Sequence, residues 1–104
     1  MIIYNVTVSI DPDIESDWLQ WMRKTHIPDV MNTQCFRESR ISRVHGEEAG
    51  GLTYAITYVA RSQESYDQYQ RDYAPALQAD HTHRYAGKFA AFRTELTLIE
   101  EFSG

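Results

Sequence analysis

Residues 2–10, Ile-Ile-Tyr-Asn-Val-Thr-Val-Ser-Ile, alternate without a break. Ile2, Tyr4, Val6, Val8 and Ile10 form one row, and Ile3, Asn5, Thr7 and Ser9 the other, which is the period of a strand with two unlike faces. The same period returns at 52–60, with Leu52, Tyr54, Ile56 and Tyr58 set against Thr53, Ala55, Thr57 and Val59. It returns again at 89–101, with Phe92, Leu96 and Leu98 set against Arg93, Glu95, Thr97 and Ile99. A fourth strand, over 35–45, is weaker in pattern but rich in Ile, Val and Arg.

Between the strands the period changes to that of a helix. After Asp11, an N-cap residue with Pro12 at the first helical position, Ile14, Trp18, Trp21, Met22 and Val30 recur on one face as far as about Asn32. His26 follows Met22 by four residues and so joins the apolar face. Pro28 has no N–H and clashes with the carbonyl of Lys24, so this helix must kink or end near His26. Ser62 caps a second helix with the stripe Tyr66, Tyr69, Tyr73 and Leu77. Pro75 interrupts that helix, and Gly87 suits its left-handed stop. Residues 46–51, Gly-Glu-Glu-Ala-Gly-Gly, read as a turn returning one strand antiparallel to the next; no helix follows, so Gly50-Gly51 is not a phosphate loop.

The order is therefore β-α-β-β-α-β, a ferredoxin-like α+β domain over residues 1–104, with two helices on one face of a four-stranded antiparallel sheet. The other face is expected to carry Asn5, Thr7, Ser9, Thr53, Ala55, Thr57, Arg93, Glu95 and Thr97. Such a face is either wet or closed by a second subunit. The chain has 104 residues, 42% of them hydrophobic. A core this modest makes a homodimer through the sheet face the expected state. A formal charge of −5 without a basic face disfavours nucleic acid. No apolar run is long enough to span a membrane, and the amino terminus lacks the basic start of a signal peptide. Cys35, the single cysteine, permits no internal disulfide, reads as a half-buried structural thiol and fits a reducing cytoplasm.

Strand order over the whole length, together with Trp-Met-Arg-Lys-Thr-His-Ile-Pro at 21–28, resembles the dimeric α+β barrel superfamily. The run from Met-Ile-Ile-Tyr-Asn-Val-Thr through that segment to Phe-Arg-Thr-Glu-Leu is similar to a bacterial domain-of-unknown-function family within it. The resemblance implies two protomers packed sheet to sheet around a cleft. Relatives include cofactor-free monooxygenases, lactone isomerases, haem-degrading enzymes and amino-acid-sensing domains, so the fold does not choose the chemistry.

His26, at the helix break, is the candidate general base, with Asp29 placed to orient it. The same histidine would serve equally as a polar helix end that satisfies carbonyls freed by Pro28. Arg93 and Glu95 share a strand face and would bind a carboxylate or pair with each other; Asn5 and Thr57 would add hydrogen bonds. Trp18 is a core anchor that doubles as a stacking surface. His81 and His83, two residues apart on a helix, point away from each other and cannot chelate one ion. No metal and no cofactor is expected. Asn5, Tyr69 and His81 resemble the asparagine, aromatic and histidine of the haem-degrading members, with tyrosine where those favour tryptophan. The residues thus point to binding or conversion of a small carbonyl or enol compound without a cofactor. A non-catalytic ligand-sensing or structural dimer and, behind it, a haem-binding protein are the alternatives.

Overall fold

A computed structural model describes residues 1–46 and 51–104. Four strands form one antiparallel sheet in the order β2-β3-β1-β4: β1 Ile2–Ile10, β2 Phe36–Arg43, β3 Leu52–Ala60 and β4 Phe89–Thr97. The alternating stretches thus become strands, with β4 ending sooner than its pattern. The turn expected at 46–51 falls mainly on residues 47–50, which lie outside the described residues.

Each connection carrying helix is broken by a π turn, and the first opens with a 3-10 turn at Pro12–Ile14. The first runs as α1 Glu15–Trp21, a wide π turn Met22–His26 and α2 Ile27–Met31; the second as α3 Gln63–Gln68, a π turn Tyr69–Tyr73 and α4 Ala74–Tyr85. Neither proline ends its helix. Pro28 and Pro75 each sit in the first turn after a π turn, where a missing N–H is tolerated. The Ile27 N–H reaches back five residues to the Met22 carbonyl, and the Ala74 N–H to that of Tyr69. The extra residue in each wide turn rotates everything that follows.

That rotation corrects the apolar stripes. In the first connection the core face runs through Trp18 and Met22 to Val30, with Ile27 packed against it. His26 is displaced to the margin, half-buried. In the second, the stripe passes from Tyr66 and Tyr69 to Ala74, His81 and Tyr85, leaving Tyr73 and Leu77 only partly covered. Ser62 Oγ accepts from the Ser65 N–H as a cap should, and Gly87 stops α4 at φ 78. Asp11 does not cap with its side chain; it pairs with Lys88 at 3.6 Å, while the Ile14 N–H bonds to its carbonyl. Cys35 is buried rather than half-buried.

The core lies between the helices and the face built from Tyr4, Val8 and Ile10 on β1 and from Tyr54, Ile56 and Tyr58 on β3. Register decides what β4 adds to it. Tyr4 stands opposite Glu95, Val6 opposite Arg93 and Ile10 opposite Phe89. Residues directly opposite in a ladder share a face, so Arg93, Glu95 and Thr97 look toward the helices, not out from the open face expected for them. The open face carries Asn5, Thr7, Ser9, Thr53, Ala55 and Thr57, joined by Phe92 and Leu96. Those last two are 63% and 46% exposed.

Candidate functional site

Val6 marks the site. It lies on a central strand and faces the helices, yet it is only half-buried, while Tyr4 and Val8 on either side are 3% and 2% exposed. Its neighbours in the same row are Ile56, which is buried, and Arg93, which is exposed on the edge strand β4. The helix layer therefore covers Val6 incompletely, on the side of the sheet where Arg93 stands at the β4 edge.

Two histidines lie within electrostatic range of Arg93. His81, on α4, accepts a hydrogen bond at Nε2 from the Trp18 indole N–H at 2.9 Å. An imidazole that accepts at Nε2 carries its proton on Nδ1, so His81 is neutral and presents a donor. Burial, then His26 and then Arg93 push its pKa down to about 4. His26 stacks on Trp21 with ring centroids 4.9 Å apart and meets the His81 ring edge-on at 5.8 Å. Neither ring nitrogen of His26 has a hydrogen-bond partner among the described residues. Burial lowers its pKa from 6.5; Asp29 and Asp80 oppose that shift and Arg93 adds to it. At neutral pH His26 is an uncharged base with a free lone pair.

Arg93 lies within electrostatic range of His26, His81 and Tyr69 and lowers the pKa of each. Among the described residues it forms no ion pair and no hydrogen bond. Glu95 does not pair with it, because the Tyr66 hydroxyl donates to Glu95 at 2.6 Å and Gln70 donates to that same hydroxyl. On the helix side, too, Tyr85 donates to Asp17 at 2.8 Å, and Arg84 lies over the Trp21 ring at 5.5 Å. The Tyr66 and Tyr85 hydroxyls are held by charge-assisted bonds; among the described residues His26 and Arg93 have no such partner.

The candidate residues thus divide between two faces. His26, His81, Arg93, Glu95, Tyr69 and Trp18 share the helix side of the sheet. Asn5 and Thr57 lie on the open side, where the Thr57 hydroxyl donates to Asn5 Oδ1 at 3.1 Å and Asn5 donates on to Thr7. Asp29 is exposed and makes no bond to His26; it lines a groove of about 400 Å³ with Asp72, Tyr73 and Leu77. Asn5 and His81 are on opposite sides of the sheet, and the Nε2 lone pair of His81 is engaged by Trp18. The Asn5, Tyr69 and His81 trio therefore does not fit a haem. His83 is exposed, and no group of three or more metal-ligating side chains occurs among the described residues. Trp21, which reads in the sequence as a core anchor and a stacking surface like Trp18, stacks on His26; sequence alone did not single out Val6, which the helix layer covers incompletely.

The model of the family described as Domain of unknown function (DUF4286) matches residues 1–99. No curated protein matches the chain in sequence. Among solved structures the chain is similar to a dimeric ferredoxin-like protein from an uncultured marine organism, at 12% identity and a TM-score of 0.71, with 100% of each chain covered. It is similar to a variant of MhuD with two manganese protoporphyrin IX bound per active site, at 17% identity and a TM-score of 0.71, again over 100% of each chain. It is also similar to SnoaB, a cofactor-independent oxygenase from Streptomyces nogalater, at 8% identity and a TM-score of 0.69, over 99% of this chain and 98% of that one. At such identities the likeness carries the fold alone, the ferredoxin-like arrangement. No helix among the described residues is long and apolar enough to cross a membrane.

Proposed function

We propose, for a chain that belongs to the DUF4286 family of domains of unknown function, that the helix side of the sheet around Val6 binds a small carbonyl compound and moves a proton on it without a cofactor. The observation that carries this reading is a neutral base, His26, within electrostatic range of Arg93, which stands opposite the half-buried Val6, neither side chain having a hydrogen-bond or ion-pair partner among the described residues.

In the step we assign, the C–H bond next to the substrate carbonyl breaks and its proton passes to the free nitrogen of His26. The electron pair moves into the carbonyl, which becomes an enolate. Arg93 stabilises the developing negative charge, and the Nδ1–H of His81 is a second donor to it. Burial keeps both imidazoles neutral, so one is free to accept while the other donates. The proton returns to the same carbon or to its neighbour, giving exchange or isomerisation with no oxidant consumed. The likeness to a cofactor-independent oxygenase is compatible with chemistry of this kind.

We further propose that the chain acts as a single domain over residues 1–104, as a cytoplasmic homodimer. Phe92 and Leu96 are exposed on the open sheet face, and a second copy would cover them; one similar structure is itself described as dimeric. That site is then built within one protomer, and the sheet faces supply the contact. Asn5 and Thr57 belong to that contact rather than to the chemistry.

Deuterium exchange next to the carbonyl of a panel of small ketones and oxo acids, followed by proton NMR in D2O, tests the reading. Exchange that disappears in His26→Ala and falls in Arg93→Gln, with both variants folded, supports it. A panel on which the wild type accelerates nothing supports instead a ligand-sensing or structural dimer.

A further inference from the structure

The most exposed large apolar side chains among the described residues, Phe92, Ile99 and Phe102, all come from β4 or from the residues that follow it. After Thr97 the chain has no regular structure. The Leu98 N–H bonds to the Met1 carbonyl at 3.0 Å, and beyond that tie residues 99–104 continue as an arm. Ile99 and Phe102 are 91% and 85% exposed. Between them stand Glu100 and Glu101, both exposed and neither in an ion pair among the described residues. A short acidic segment that displays two large apolar side chains to water is uncovered, not merely solvated.

The same end of the sheet holds a cation without an anion. Arg37 in β2 is exposed, and its Nη2 lies 3.4 Å from the Met1 sulfur. A thioether is a weak acceptor, and among the described residues Arg37 has no carboxylate partner. Because Met1 also accepts from Leu98, this guanidinium sits where β4 gives way to the arm. Beside it the open face ends in an apolar row, with Ile3 opposite Val59 on one side and Leu96 on the other. From β1, β3 and β4 the open face receives no charged side chain; β2 adds Arg40 and Glu38, which pair with each other at 3.7 Å. Covering this face therefore strips water from no lone charge.

We propose that residues 98–104 lie on a second copy of this chain, with Ile99 and Phe102 against the apolar row of Ile3, Val59 and Leu96 and with Glu100 and Glu101 at the partner subunit's Arg37. This rests on the homodimer reading given above and names the contact that orients the two copies. Charge selects the arrangement. A two-fold axis parallel to the strands lays β4 of one copy over β2 of the other with the same ends together, which brings the arm to the partner subunit's Arg37. An axis across the strands would lay β4 over β4 and send the arm to the opposite end, away from that guanidinium. Within its own chain the arm leaves its apolar side chains in water and its carboxylates off Arg37. Exchanged between copies, the contact is made twice and each carboxylate pair gains a guanidinium.

Sedimentation equilibrium of the full chain against a set of variants tests the arm. Truncation after Leu98, and the paired substitutions Glu100→Lys and Glu101→Lys, should each weaken dimerisation by about tenfold or more, since a two-fold contact is lost twice. Arg37→Glu should weaken it in the same way. Combining Arg37→Glu with both lysine substitutions should return the dimer to within about threefold of wild type, a rescue that a general effect on folding would not give. Every altered position is exposed, so far-UV circular dichroism should not change. A truncated or charge-reversed chain that dimerises as tightly as wild type, or a reversal that the combination does not rescue, overturns the proposal. If Phe92→Asp still breaks the dimer in that case, the sheet-face reading stands without the arm. A wild type that stays monomeric overturns both.

Discussion

The indole nitrogen of Trp18 donates to Nε2 of His81 at 2.9 Å, tying the first helix to the last through the interior. This bond fixes which nitrogen of His81 carries the proton, and it removes that imidazole from the set of available bases. His26, 5.8 Å away ring to ring, is left to accept. The division of labour between two neighbouring histidines follows from one tryptophan.

Stability should therefore depend on pH through His81. Its folded-state pKa is about 4, below the ordinary 6.5, so the unfolded chain binds a proton over that interval and the folded chain does not. Stability from this group is fully present above pH 6.5 and is lost as pH falls toward 4, on the order of 3 kcal/mol in all. Urea unfolding of wild type and His81→Gln at several pH values measures the difference. The glutamine variant, whose carbonyl can still accept from Trp18, should show a shallower loss across this window.

The open sheet face predicts an oligomer that a single charge disrupts. Phe92→Asp or Leu96→Asp should convert the proposed dimer to a folded monomer, seen by sedimentation velocity together with unchanged far-UV circular dichroism. An isolated wild-type monomer at micromolar concentration would mean that these apolar side chains have another use.

Glu95 should matter for stability more than for exchange. Its carboxylate accepts from the Tyr66 hydroxyl at 2.6 Å, so Glu95→Ala leaves that hydroxyl without its charged partner. A loss of about 1–2 kcal/mol is expected, with the rate of proton exchange changed less than in Arg93→Gln. The reverse ranking would place Glu95 in the chemistry.

Much of the fold was legible because period-two alternation at 2–10 and 52–60 survives intact into β1 and β3. The same pattern in β4 misled. Alternation reveals that Arg93 and Glu95 share a face, opposite Phe92 and Leu96, but not which face meets the helices. The apolar pair seemed the natural inner row. Register gives the charged pair that place instead, because the outer face of this sheet also carries apolar residues. His26 was found from its position before Pro28, yet its orientation was not. Counting four residues from Met22 presumes an unbroken α-helix, and the π turn inserts a residue, sending Ile27 to the core and His26 to its edge. Long-range partners such as Trp18 with His81 have no local signature. They separate residues by more than half the chain, and only the packed helices bring them together.

The central claim is that His26 is an unpaired neutral base under the influence of Arg93. Long-range proton–nitrogen NMR of the histidine rings, recorded across pH, observes this directly. The account predicts that His26 titrates below 6.5 and moves upward in Arg93→Gln, while His81 keeps its proton on Nδ1 and stays neutral to about pH 4. A His26 that titrates at or above 6.5 and ignores the arginine substitution would contradict it.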